Sequence, residues 1–359
     1  MPIEVRSSTV IPENPSSSIS RSSNKLPFIS VIIKSYNRSN FLLETLYSVL
    51  KQSLDRRYYE VIVVKNYADS KMDQFMEQNS IIVINDNNDL VGHFIWSALN
   101  VSHGNILCFL DDDDLFEPSK LKFIFDMFTD REMLYIHNEQ SFVNEKGNPI
   151  NHKIKGISKS LTVALPIKKF KLGKLISCNQ DFNCSSMAVR KEVLMLNSSY
   201  LSQLEASDDS YIFFQAASFA HGKMYFSSEK LTKYRVHTSE TKMLIDGASN
   251  YSEYLRSVSN RARRYMAGRE TMYLSLQNST SRVVKKSCLC YFVESKVRAY
   301  IYGYKNKLDF SDWFTLLKCS SFQHTKYYLT LVFVALSTKI NRQWTLKRLF
   351  ENDKKRGHS

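Results

Sequence analysis

The chain has few of the devices that hold small or secreted folds together. Six cysteines occur in 359 residues. Cys108 lies inside an apolar stretch, as buried thiols do. Cys288 and Cys290 are too close for an ordinary disulfide, and no second pair completes a zinc site. With Cys178, Cys184 and Cys319 they outline no disulfide or zinc framework, as expected for a reducing interior. Long apolar runs are also missing. The nearest, YYLTLVFVALS from Tyr327 to Ser337, is shorter than the ~18 residues that cross a bilayer as a helix. The first 26 residues are Ser-rich and lack an apolar core, so they read as a flexible tail, not a signal peptide. Acidic residues are scarce in one region. Residues 1–240 balance 27 Lys and Arg against 27 Asp and Glu, whereas residues 241–359 set 22 against 8. The last third therefore carries the whole net charge of +14, which marks a compositional boundary near residue 240.

Apolar residues make up 43% of the chain and aromatics 13%, enough for a folded core. FISVIIKSYNR begins with Ile29, Val31, Ile32 and Ile33, the continuous β-branched run of a strand buried on both faces. Leu42, Leu46, Val49 and Leu50 follow at helical spacing. YYEVIVVKN repeats the strand signal, and a polar helical segment succeeds it. SIIVINDN is a third strand, LVGHFIWSALNVSHG a helix closed by Gly104, and NILCFL a fourth strand. Pro118 then opens the helix PSKLKFIFDMF. Strands alternating with helices predict an α/β fold built on a parallel sheet, whose ligands bind beyond the carboxyl ends of the strands.

Asp111, Asp112, Asp113 and Asp114 stand at such an end, directly after NILCFL. Four adjacent carboxylates repel one another and cannot be buried cheaply without a partner. One reading is a solvated loop that caps the next helix. The sharper one is a divalent-cation site, because clustered carboxylates suit Mg²⁺ or Mn²⁺ together with substrate phosphates.

SVIIKSYNRSNFLLETLYSVLKQS, YYEVIVVKN and VGHFIWSALNVSHGNILCFLDDDDLFEPSKL, in that order and spacing, resemble a family 2 glycosyltransferase. The resemblance runs from about Pro27 to about His237. It implies a GT-A fold, Rossmann-like with a mainly parallel sheet between helices, a nucleotide-sugar donor, a DxD-held metal, and inversion at the anomeric carbon. Residue by residue, Asp111 and Asp113 match the DxD motif, with Asp112 as its variable middle. Asp113 would hold the Mg²⁺ or Mn²⁺ against the donor diphosphate. Asp111 would touch the ribose or a metal-bound water. Ser35, Tyr36 and Asn37 match the first nucleotide-lining turn, with Arg38 beside it. Two departures stand out. Lys65-Asn66 replaces the acidic residues the family often has after its second strand, which leaves Asn66 to meet the base. Lys34 replaces a common Pro.

Downstream, Asp208-Asp209 precedes the helical stripe Ile212, Phe213, Ala216 and Ala217. Alone, the pair would be an ordinary favourable charge at a helix N-terminus. Through the resemblance it matches the family's acceptor-side acidic pair, with Asp209 as the catalytic base and Asp208 beside it. In KLTKYRVH, the resemblance makes His237 a candidate diphosphate or metal contact. NQDFNCSSMAVRKEVL, Asn179 to Leu194, resembles the acceptor-side segment.

Three regions are thus expected: a tail (1–26), a catalytic domain (27–240), and a basic α-helical C-terminal region (241–359). Two rivals stand against a transferase. A sugar nucleotidyltransferase would carry a Gly-rich phosphate loop after its first strand, and KSYNRSN has no Gly. A non-catalytic sugar-nucleotide-binding protein would have no need to keep both acidic sites. No zinc, helix-turn-helix or RNP-like signature points to nucleic acid. The expected partners are a nucleotide-sugar donor, a glycan or lipid-linked acceptor, and an anionic membrane surface. The last would be met by basic amphipathic helices anchored by Trp313, Phe314 and Trp344. The implied location is cytoplasmic, peripheral at the cytoplasmic membrane face.

Overall fold

A computed structural model describes residues 26–37, 39–152, 154–236, 251–304, 307–320 and 325–357. The elements, in chain order, are β1 (Ile29–Ser35), α1 (Leu42–Leu50), β2 (Tyr59–Lys65), α2 (Ser70–Gln78), β3 (Ile82–Asn85), α3 (Val91–Val101), β4 (Ile106–Asp111) and β5 (Leu115–Phe116). Then come α4 (Lys120–Met127), β6 (Met133–Val143), β7 (Leu161–Ala164), α5 (Lys169–Ser177), β8 (Met187–Arg190), α6 (Lys191–Met195), α7 (Ser198–Leu201), α8 (Asp208–Ala217) and β9 (Lys223–Arg235). Among the described residues five helices follow: α9 (Tyr251–Ser275), α10 (Arg282–Ile301), α11 (Phe310–Ser320), α12 (Thr325–Ile340) and α13 (Arg342–Gly357).

The strands form one sheet in the order β3-β2-β1-β4-β8-β6-β9-β5, with β7 also on β9. From β3 to β4 every pair is parallel, because helices α1, α2 and α3 carry the chain back between strands. Beyond β4 the sheet is mixed: β8 runs antiparallel to β4 and β6, and β6 runs parallel to β9. A purely parallel sheet is thus confined to the first half. The second half is built from segments that the alternation of strand and helix did not register.

Side chains alternate across the strands and fill both faces. Val31, Ile33, Val61, Val63, Cys108 and Leu110 pack with α1 and α4 on one face. Ile32, Ile62, Val64, Leu107 and Phe109 pack with α3 and α8 on the other. That second core also takes in Met272 and Leu276 from the end of α9 and its following turn, and Val284 and Cys288 from α10. A smaller apolar cluster joins Val293, Val297 and Ile301 of α10 to Leu316 of α11 and to Leu331 and Ala335 of α12. No helix among the described residues is long and apolar enough to cross a membrane. One cysteine reading needs correcting: Cys290 is disulfide-bonded. Cys288 is free and buried, as are Cys108, Cys178 and Cys184.

Candidate active site

The carboxyl ends of β1 and β4 open onto a crevice of about 1100 Å³, lined among others by Lys34, Tyr36, Asp111, Asp112, Asp113, Phe182 and Arg235. The register explains the juxtaposition. Lys34 pairs with Asp111 across the β1–β4 ladder, so the ends of the two apolar strands emerge at one rim.

Lys34 is the centre of the site. Its ammonium lies 2.9 Å from Asp111 Oδ1 and also contacts Asp208 Oδ2. Burial alone would lower its pKa. Asp111 and Asp208 outweigh burial and hold it well above the usual lysine value, so it stays charged. One cation therefore joins the acidic run after β4 to the acidic pair at the start of α8, 97 residues away (Asp111 to Asp208). Burial raises the Asp111 pKa, and Lys34 opposes the rise.

The remaining acidic residues divide by role. Asp112 is buried and accepts a 2.8 Å hydrogen bond from Ser35 Oγ. Thr45 Oγ1 donates to the Asp112 and Asp114 carbonyls, at 2.9 Å each. Asp114 Oδ1 accepts from the Arg235 backbone N–H at 2.8 Å. Burial, then the charges of Asp113 and Asp111, push the Asp114 pKa well up. Arg235 is itself buried: its Nε donates to the Asp113 carbonyl at 2.7 Å, and its guanidinium pairs with Glu44 at 2.7 Å. These bonds fix the backbone of the acidic turn, and Asp111, Asp112 and Asp113 line the crevice.

Asp208 and Asp209 are not among the crevice's lining residues. Asp208 is one contact removed, through Lys34, which lines the crevice. Asp209 accepts from the Asn183 N–H at 3.3 Å and from its neighbour Ser210 N–H at 2.7 Å. Burial, reinforced by the charge of Asp208, raises its pKa to about 7. The segment Asn179 to Leu194 ties the two acidic sites together, because Ser185 Oγ accepts the Asp111 N–H at 2.9 Å. Asn183 adopts φ 67°, a left-handed conformation that Asn tolerates better than most residues.

At the β1 turn, Asn37 has φ 56°. Its N–H donates to Asn66 Oδ1 and its Oδ1 accepts from Asn66 Nδ2, both at 2.8 Å. Asn66 thus braces the turn after β1. Lys65 is turned inward: it is buried, donates to the Tyr67 carbonyl at 2.7 Å and pairs with Asp73 at 2.9 Å. Tyr36 is exposed over the crevice beside Phe94. Arg38 and His237 lie outside the described residues.

No group of three or more His, Cys, Asp or Glu among the described residues is arranged to hold a metal ion. The carboxylates of Asp111 and Asp113 are a hard-oxygen donor set at the crevice. That set fits Mg²⁺ or Mn²⁺, which commonly take one or two carboxylates and complete their shell with water and phosphate.

Lys34 and Arg235 were not among the predicted site residues. The available signal for Lys34 was a lysine ending an otherwise apolar buried strand, where an unpaired charge would be costly. For Arg235 it was an arginine at the end of a strand that faces the acidic turn.

Residues 30–195 match the model of glycosyl transferase family 2. Two relatives come from Bacillus subtilis (strain 168). The glycosyltransferase TuaG, named for teichuronic acid biosynthesis, is 27% identical over 143 residues, which is 36% of this chain and 52% of that one. The glycosyltransferase EpsH is 24% identical over 220 residues, 59% of this chain and 62% of that one. The chain thus spans about half to three-fifths of their length. Among solved structures, S. aureus TarS 1–349 in complex with UDP superposes with a TM-score of 0.57 at 14% identity, over 90% of this chain and 91% of that one. This likeness is one of fold, and the fold is GT-A.

Proposed function

We propose that the chain transfers a sugar from a nucleotide-diphosphate donor to a hydroxyl of a glycan or lipid-linked acceptor, with inversion at the anomeric carbon. The observation that carries this reading is the Lys34 bridge between Asp111 and Asp208. It joins the strand-end acidic run at the crevice to the helix-start acidic pair behind it. Binding of UDP by TarS supports a nucleotide donor.

An acceptor hydroxyl has a pKa far above neutrality, so its attack needs a base. Asp209 is that base. A carboxylate with a pKa of about 7 takes a proton more readily than an ordinary aspartate and is still largely ionised just above neutrality. Asp208, which Lys34 contacts, adds to burial in raising that value. Tyr36, Ser35 and Asn37, braced by Asn66, form the nucleotide side of the crevice. Asp113, with Asp111, would hold Mg²⁺ or Mn²⁺, which supplies charge neutralisation to the departing diphosphate. A single base with no protein nucleophile makes the reaction one displacement, hence inversion.

The test is a panel of nucleotide sugars with Mg²⁺ or Mn²⁺, read by nucleotide diphosphate release and by NMR of the product anomer. Metal-dependent release with an inverted product is expected. No release from any donor, or a retained anomer, would overturn the proposal.

A further inference from the structure

The helices that end the chain expose large apolar side chains in ordered stripes. On α11, Phe310, Phe314 and Leu317 recur at spacings of four and three, all exposed, with Phe310 at 85%. On α12, Leu329, Phe333, Leu336 and Ile340 recur at four, three and four, again all exposed, with Phe333 at 71% and Ile340 at 88%. These spacings put each set on one helical face. The opposite faces are occupied: Leu316 of α11, and Leu331 and Ala335 of α12, pack into the cluster beneath with α10. Trp344, 54% exposed, continues the apolar surface onto α13. Soluble surfaces carry single exposed apolar residues freely, but contiguous stripes mark an interaction site. The anchor set differs from the sequence expectation at one place. Trp313 is only partly exposed and packs against the inner cluster, while Phe314 and Trp344 face outward.

Cations border these stripes. Lys318 sits 4.0 Å above the Phe314 ring and Arg348 5.1 Å from the Trp344 ring. Lys339, Arg342 and Lys347 are exposed on the same helices. The arrangement decides between occupants. A second copy would set the same cations against one another across a two-fold axis, which like-charge repulsion opposes. An anionic lipid surface complements them while it takes up the apolar stripes.

We infer that the exposed face of α11, α12 and the start of α13 is a docking surface for an anionic membrane, with Phe310, Phe333, Ile340 and Trp344 entering the acyl boundary. Docking does not depend on the proposed transfer reaction, because it uses none of the crevice residues.

The experiment is flotation of the full chain with vesicles of phosphatidylcholine alone or with phosphatidylglycerol added, alongside analytical ultracentrifugation without lipid. Flotation with the anionic vesicles and release as salt rises are expected. The double variant Phe333→Glu, Ile340→Glu alters only exposed positions and should melt like the parent, yet partition at least ~10-fold more weakly. Equal flotation with both vesicle types, flotation with neither, or an unchanged double variant would overturn the inference. So would a dimer that this variant dissolves, since that would make a second copy the occupant.

Discussion

Lys34 answers how so many carboxylates coexist at one rim. Its charge is shared between Asp111 and Asp208, and it also lowers the pKa of Asp209. The sign of a substitution follows. With Lys34→Met, a positive charge leaves, the carboxylate form of Asp209 loses support, and its pKa rises from about 7. The acid limb of the pH–rate profile, expected near pH 7 in the parent, should move to higher pH. An unmoved limb would separate Asp209 from catalysis. Asp209→Asn should retain nucleotide binding and lose on the order of 10²–10⁴-fold in turnover. Its stability should move the other way. The raised pKa means the fold binds this proton more tightly than the unfolded chain does, so ionisation costs stability as pH rises from ~4 towards 7. At pH 8 the Asn variant should therefore melt no lower than the parent. Asp113→Asn should cut turnover and abolish metal-dependent nucleotide binding, with an unchanged melting temperature. Loss of folding instead would assign Asp113 to the architecture. The carboxylates were legible in sequence because an acidic run after an apolar strand has few other uses. Their partner was not, because the Lys34–Asp208 contact joins residues 174 apart, and no local pattern encodes a pairing made by tertiary packing.

Among the elements, α9 governs the loop that delivers Asp208 and Asp209. Arg263 forms a two-pronged pair with Glu205, at 3.0 and 2.8 Å, and Arg264 donates to the Glu205 carbonyl at 3.2 Å. One turn on, Gly268 lies against Ala206: a Cβ there would meet the Ala206 carbonyl oxygen at 2.3 Å. Ser207 follows with φ 65° and α8 begins. The acidic pair is thus aimed by a helix far from it in sequence. Gly268→Val should push α9 off the loop and reduce turnover at least ~10-fold, because small misplacements of catalytic groups are costly. Nucleotide affinity, set at the far side of the crevice, should stay within a few-fold. Parallel losses in both would mean a general unfolding and no aiming role for α9. Local periodicity made β1 to β4 and their helices readable. It did not show the antiparallel insertion of β8 between β4 and β6, because Met187–Arg190 carries one β-branched side chain where the equally short β3 carries three.

Across the whole molecule, the charge boundary near residue 240 and the packing boundary do not coincide. Charge is a property of exposed faces, and it changes sign balance at 240. The buried faces continue: Met272, Leu276, Val284 and Cys288 complete the apolar core on the α8 side of the sheet, and Ser275 receives a 2.7 Å hydrogen bond from the buried Gln215. Tyr291 of α10 donates to Asp181 at 2.6 Å, close to the segment that supports Asp209. A net-charge count cannot see these contacts, because they are made by the minority of residues on these helices that are apolar and inward. The expected outcome of truncation follows. A chain ending at residue 240 loses a wall of its main core and should aggregate or melt without cooperativity. A chain ending at Lys307 keeps α9 and α10, loses the cover of Val293, Val297 and Ile301, the Phe350 ring against Tyr251 and Tyr254 and the Lys296–Asp312 pair, and should fold cooperatively at a lower melting temperature while still binding nucleotide. Calorimetry and nucleotide titration on both chains decide the matter: a stable, nucleotide-binding product from the cut at 240 would mean that the catalytic unit ends where the charge changes.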